Sequence, residues 1–254
     1  KGRAIQNGLS IPDDKIKAYI NVKTLKDQEY VGSHSIALVT KGGVIKKTAL
    51  SAYSHPRAAG VNAVNLREGD VLVEALLTGG EDEILIAARE GRCCRFNETD
   101  VRPMGRTSTG VRGINIDGDD EVIGAINYDP SAEDAGEHTV LVVSENGFGK
   151  RTDFDEYRIT KRGGKGVKTI NITEKTGKLI AIKNVTENDD LMIIEKSGLT
   201  IRMAVSDIRV AGRATQGVKL INIKEGDSIA SLSTVAKNEE SPEVGNITEN
   251  TDND

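Results

Sequence analysis

The chain has 254 residues, a formal charge of −5 and only 3% aromatic residues, with no Trp. That length suits one or two domains with a buried core, and so few aromatics argue against a surface that stacks unpaired bases. Three histidines and the adjacent pair Cys93–Cys94 leave no zinc cluster and no disulfide scaffold. No apolar run approaches the ~18 residues of a membrane span and no signal peptide opens the chain, so no membrane partner and a cytoplasmic setting are expected. In chain order, an incomplete unit comes first, at 1–33, because GRAIQNGLSI from Gly2 matches GRATQGVKLI from Gly212. Complete units follow at 34–80, 81–136, 137–186 and 187–237, and each opens with two apolar runs around a turn ending in Gly. These openings are IALVTKGGVIKKT from Ile36, ILIAAREGRCCRF from Ile84, VLVVSENGFGKRT from Val140 and LMIIEKSGLTIRM from Leu191. The x-Gly turns suit two-residue hairpins.

The turn glycines Gly43, Gly91, Gly147 and Gly198 are spaced by 48, 56 and 51 residues, and four residues past each stands Lys47, Arg95, Arg151 or Arg202. Each unit then continues with a second segment: RAAGVNAVNL from Arg57, RTSTGVRGINI from Arg106, RGGKGVKTINI from Arg162 and RATQGVKLINI from Arg213. A last apolar run closes the unit. Four short strands per ~50 residues, with no sustained helical period, predict an all-β ring of four-stranded blades with about four and a half repeats present. The polar, acidic tail 238–254 has no strand signal and is expected to be disordered.

By segment the net charge is +2 for 1–33, +2 for 34–80, −7 for 81–136, +4 for 137–186, 0 for 187–237 and −6 for the tail. Scattered basic residues are ordinarily a solvated face. A cation at one strand position in every blade, by contrast, would fall on one side of a ring and form a belt suited to a duplex phosphate backbone. The spread candidates are Lys46, Lys47, Arg57, Arg92, Arg95, Arg106, Arg112, Lys150, Arg151, Arg202, Arg213 and Lys219, with Arg158 and Lys168 in the densest basic stretch. Arg102 near Asp100 and Arg209 beside Asp207 read instead as locally paired. The −7 unit should repel DNA unless its acids lie on the inner or opposite face, and the acidic tail is expected to compete with DNA for the belt.

The densest stretch, Tyr157–Lys168, holds five cations within eleven positions, and its glycines let the backbone approach phosphate oxygens. Read on spacing alone it is equally a turn-forming loop. It is not a mononucleotide P-loop, since G-x-x-x-x-G-K-[ST] is absent. No Ser/His/acid pattern or metal cluster is present, and Asp119-Asp120-Glu121 reads as a hairpin turn, so no catalytic or metal-binding residue is assigned.

Taken together, GFGKRT…EYR at Gly147–Arg158, VRGINIDGDDEVIGAI at Val111–Ile126 and GRATQGVKLI at Gly212–Ile221 resemble the C-terminal DNA-wrapping domain of the DNA gyrase A subunit. The resemblance covers residues 1–237. Thr160, Lys161, Arg162, Gly163, Gly164, Lys165 and Gly166 resemble that family's box, Gln-Arg-Arg-Gly-Gly-Lys/Arg-Gly. They depart from it at Thr160 and, conservatively, at Lys161. The resemblance implies a β-pinwheel, usually of six blades with the box in the first, whose blades exchange a strand. On that count about one and a half blades are expected before Lys1. It also implies that double-stranded DNA curls around a basic rim without sequence specificity, presenting a crossing for ATP-driven negative supercoiling. The implied partners are the rest of the gyrase A subunit, plus the gyrase B subunit, in an A2B2 complex. The cleaving tyrosine, ATP and Mg then belong to other parts of that enzyme, and no cofactor is expected on this domain. Two alternatives are a DNA-binding domain of the topoisomerase IV A-type subunit, which generally lacks a good box, and a propeller serving as a protein-interaction scaffold.

Overall fold

The computed structural model describes residues 16–57 and 60–237. The Gly2–Ile11 match and the acidic tail lie outside the described residues. A six-residue helix, α1 (Gln28–Ser33), is capped by the Asp27 carboxylate, which accepts from Glu29 N and Tyr30 N. The strands then follow the repeat. The unit from 34 gives β1 (Ser35–Thr40), β2 (Val44–Ala49) and β3 (Leu72–Thr78). The unit from 81 gives β4 (Glu83–Ala88), β5 (Arg92–Asn97), β6 (Val111–Arg112) and β7 (Val122–Tyr128). The third gives β8 (Thr139–Ser144), β9 (Phe148–Asp153), β10 (Val167–Lys168) and β11 (Leu179–Val185), and the last gives β12 (Asp189–Glu195), β13 (Thr200–Ala204), β14 (Val218–Lys219) and β15 (Ile229–Ala236).

These strands form four antiparallel sheets, ordered β3-β1-β2-β6, β7-β4-β5-β10, β11-β8-β9-β14 and β15-β12-β13. The outermost strand of each of the first three sheets is therefore supplied by the following unit: β6 pairs with β2, β10 with β5 and β14 with β9. This is the strand exchange of a pinwheel. The innermost strands β3, β7, β11 and β15 face one another around a cavity of about 510 Å³ whose lining includes Glu74, Gly124, Ile182 and Leu232. The sheets thus stand radially, with the exchanged strands at the perimeter.

Packing explains why the apolar runs do not alternate with polar residues. On β4, Ile84 and Ile86 join the layer shared with the first sheet, whereas Leu85 and Ala87 join the layer shared with the third. A strand buried on both faces has no use for a polar alternate position, as in sheets covered on two sides. Cys94 and Cys93 divide between the same two layers as free, buried thiols. Among the described residues the fourth sheet has one covered face: Leu191 and Ile193 are buried, and Met192 and Ile194 only half so.

The hairpin glycines register the exchange. A Cβ on Gly147 (φ +77°) would stand 2.7 Å from the Ile221 carbonyl that follows β14, whereas at Gly198 (φ +92°) nothing lies within 4 Å. The difference arises because the fourth sheet, among the described residues, carries no exchanged strand.

Candidate nucleic-acid interface

The repeated cation, expected on the belt, turns inward. Lys47 is buried and its Nζ donates to the Glu98 carbonyl oxygen (2.8 Å) and to Glu98 Oε2 (3.3 Å). Arg95 is buried between Glu83 (Nε–Oε2 2.7 Å) and the Phe154 and Tyr157 carbonyls of the next unit (2.8 Å to Tyr157 O). It also lies over the stacked rings of Tyr128 and Phe154. Arg151 repeats the arrangement with Ile208 O (2.8 Å) and Glu187 (3.2 Å). Only Arg202, in the last sheet, is half exposed, paired with Asp190 at 2.6 Å. The recurring position is a joint between blades. Lys47, Arg95 and Arg151 are therefore not available to a phosphate, because a guanidinium or ammonium removed from water needs its carboxylate and carbonyl partners.

Lys46 and Lys150, one residue earlier on β2 and β9, are buried as well. Lys46 Nζ donates to the carbonyls of Ala63 and Arg106, and Lys150 Nζ to Gly212 O (2.7 Å) and Thr152 Oγ1 (3.2 Å). Burial is the main reason that both ammonium groups are lowered to a pKa of about 8, with Arg106 and Arg213 respectively adding repulsion. They hold up the loops at Arg106 and Gly212 from beneath. In the second unit Cys94 fills this position, its Sγ 3.7 Å from Thr160 Oγ1, and burial pushes its thiol pKa up.

The box loop, Thr160–Gly166, lies over Cys94 and between two units. Thr160 N donates to Arg95 O (2.8 Å), Gly163 N to Gly113 O (2.6 Å), and the Gly164 carbonyl accepts from Asn115 N (2.9 Å). Arg162 acts as a clamp: Nε donates to Asp100 O (2.9 Å) and Nη1 to Arg112 O (3.1 Å). Arg213 makes the same pair of contacts one unit on, to Glu156 O (3.0 Å) and Lys168 O (2.9 Å). Gly166 (φ +71°) sits so close to β5 that a Cβ would meet Cys93 O at 2.4 Å. At that position the glycine first serves the exchange. Lys161 and Lys165 remain exposed, paired with Asp100 (2.9 Å) and Asp117 (2.8 Å). Such surface pairs are weak, so their ammonium groups are free to exchange a carboxylate for a phosphate. The Lys165 contact holds the Asp117 carboxyl below the usual range.

Three outward cations lie on the perimeter strands. Arg112 on β6, Lys168 on β10 and Lys219 on β14 occupy the same place in each exchanged pair and are exposed. Arg57 is exposed too, as is Arg92, whose Nη1 reaches Gly166 O at 3.3 Å. Arg106 is half-buried. Arg158 is exposed, and so are Arg102 and Arg209, which do not pair with Asp100 or Asp207 as their neighbours in sequence suggest. The signal for these three is a constant offset of seven residues from Arg95, Arg151 and Arg202.

The −7 unit spends much of its acidity internally. Glu83 and Glu98 are buried in the joints, Glu121 holds Lys41 and Arg89, and Glu90 holds Lys178. Among the described residues no group of three or more His, Cys, Asp or Glu is placed to hold a metal ion, and no helix is long and apolar enough to cross a membrane.

Comparison with known proteins agrees with this architecture. The profile of the DNA gyrase C-terminal domain, beta-propeller, matches residues 34–78, 82–128, 138–186 and 189–236. The chain is 40% identical over 238 residues to the DNA gyrase A subunit of Salmonella typhimurium, covering 93% of this chain and 26% of that protein. It is 41% identical over 244 residues to the DNA gyrase A subunit of Staphylococcus aureus, covering 96% and 26%. The chain thus spans about a quarter of the length of these relatives. In fold it is similar to a DNA topoisomerase IV C-terminal domain (TM-score 0.80, 21% identity, 92% of this chain and 71% of that one). A DNA gyrase A C-terminal domain is similarly close (TM-score 0.78, 23% identity, 92% and 75%). Four sheets joined by exchanged strands, matched unit by unit to one profile and shared at 40% identity or more with gyrase subunits, settle the relationship: the chain belongs to the DNA gyrase C-terminal domain family.

Proposed function

We propose that this chain binds double-stranded DNA along its perimeter and bends it around the ring, as a non-catalytic domain of a gyrase-type topoisomerase. One observation carries the reading. Arg112, Lys168 and Lys219 project exposed charge from equivalent places on three consecutive perimeter strands, beside the box loop with Lys161 and Lys165. Cations spaced along a curved edge neutralise successive phosphates and release counterions. Those contacts position a duplex but do not read its bases, so binding is sequence-tolerant. Bending ~20–30 bp by 40–90° costs of order 1–6 kcal/mol, which several distributed contacts offset.

In this reading the domain presents a DNA crossing to the rest of an A2B2 gyrase in the bacterial cytoplasm, and ATP-driven strand passage fixes it as negative supercoils. ATP, Mg and the cleaving tyrosine are contributed elsewhere in that complex. Gel-shift titration of the chain with duplexes of unrelated sequence tests the binding step. Similar affinities that fall steeply with salt are expected. No duplex binding at low salt, or a preference for one sequence, would refute it and leave the propeller as a protein-interaction scaffold.

A further inference from the structure

Three arginines, of which only Arg158 is among the rim candidates expected from the sequence, share one local design. Arg102, Arg158 and Arg209 follow the 3-10 turns Glu98–Asp100, Phe154–Glu156 and Val205–Asp207, and are spaced by 56 and 51 residues, the intervals of the turn glycines. The residue before each is buried: Val101, Tyr157 and Ile208. Its amide closes the turn at 2.9–3.0 Å, to Glu98 O, Phe154 O and Val205 O. The residue after each forms a bridge to the preceding blade, Lys47 with Pro103, Arg95 with Ile159 and Arg151 with Val210. The backbone of each arginine is thus fixed on both sides. Yet all three side chains are exposed, and among the described residues none has a carboxylate within 4.0 Å or donates a hydrogen bond.

The clamps relate this row to the perimeter row. Arg162 spans from Asp100 O to Arg112 O, and Arg213 from Glu156 O to Lys168 O, so in two of the three cases one guanidinium bridges the turn preceding the arginine and the strand bearing the perimeter cation. Arg209 and Lys219 occupy the corresponding positions one unit on, each 51 residues past Arg158 and Lys168. Two rows of cations without carboxylate partners, held a guanidinium's reach apart at the backbone where a clamp joins them, suit the two phosphate strands that flank the ~6 Å minor groove of a duplex.

We propose that Arg102, Arg158 and Arg209 form a second row of phosphate contacts, on the opposite side of the Arg162 and Arg213 clamps from Arg112, Lys168 and Lys219. This rests on the DNA-binding reading above, and the experiment separates the two. Duplex affinity of the 254-residue chain is measured across a salt series for wild type, R102A/R158A/R209A, R112A/K168A/K219A and R102K/R158K/R209K. Each phosphate contact contributes about one unit of salt slope. The first triple variant is therefore expected to lose about three units of slope and to bind at least tenfold more weakly, whereas the lysine variant stays within about twofold of wild type. The inference is overturned by a wild-type slope in R102A/R158A/R209A while R112A/K168A/K219A loses its own, or by a lysine variant as weak as the alanine one. If neither alanine variant changes slope, the DNA-binding reading itself fails.

Discussion

Replacing Gly166 with alanine tests the claim that the box loop is built on strand exchange. The residue has φ +71°, and an added Cβ would lie 2.4 Å from the Cys93 carbonyl oxygen and 2.6 Å from its carbon, both in β5. Left-handed backbone costs a non-glycine residue ~1–2 kcal/mol. The clash cannot be relieved by a side chain, since the atoms struck are main chain, so β10 must move off β5. The two paired positions, Val167 with Cys93 and Lys168 with Arg92, are then weakened, at ~1 kcal/mol per hydrogen bond lost. Together these give ~3–4 kcal/mol, or a fall in Tm of roughly 6–15 °C for a chain of this size. Gly118→Ala is the control: φ is +59°, but nothing lies within 4 Å of its Cβ position, so only the backbone cost of ~1–2 kcal/mol applies. Thermal and urea unfolding of both variants measures the difference. Equal losses, within ~0.5 kcal/mol, would refute the steric reasoning. Below its melting range Gly166→Ala should also bind duplex DNA more weakly than Gly118→Ala, because Thr160–Gly166 loses its support.

Further expectations concern the joints and the cavity. Arg95→Ala leaves Glu83 buried and uncompensated and is expected to cost ~3–5 kcal/mol. Arg202→Ala, at a half-exposed pair, should cost ~1 kcal/mol or less, and urea titration distinguishes the two. Burial raises the Glu74 carboxyl above its ordinary pKa despite Lys183. The fold therefore favours its protonated form, and its contribution to stability, present at low pH, is lost as pH rises through and above the carboxylate range. Glu74→Gln should melt above wild type at pH 7.5, with the gap narrowing towards pH 4.5. Lys150, lowered by burial to about 8, binds its proton more weakly folded than unfolded, so it makes stability rise with pH between about 8 and its ordinary 10.5. Lys150→Met should flatten the stability profile across that window.

The fold is legible because each unit spells the same four runs and because a turn glycine and a following cation recur in register. The exchange itself is not legible from local pattern. Val111–Arg112 is only two residues long and pairs with Val44–Ile45 of the preceding unit, so nothing near it in sequence announces its partner. The interface is half legible. Recurrence at Lys47, Arg95 and Arg151 marks a structural demand common to the first three blades, the joint with the next blade, and such a demand leaves the same trace as a shared ligand. Partners distant in sequence, such as Glu98 for Lys47 and Tyr157 O for Arg95, decide between the two. Arg102 and Arg209 mislead for the converse reason. An acid two residues away looks like a partner on paper, but the 3-10 turn and the bridge that follows it fix the backbone so that the guanidinium points clear.

The most direct measurement uses relaxed circular DNA incubated with the chain and a nicking–closing enzyme, then stripped of protein and resolved by topoisomer. DNA bent around the perimeter predicts a shift in linking number of fixed sign that grows with protein added and disappears in R112A/K168A/K219A. Duplex binding with an unshifted topoisomer distribution would contradict the account, since the rim would then hold DNA without curving it.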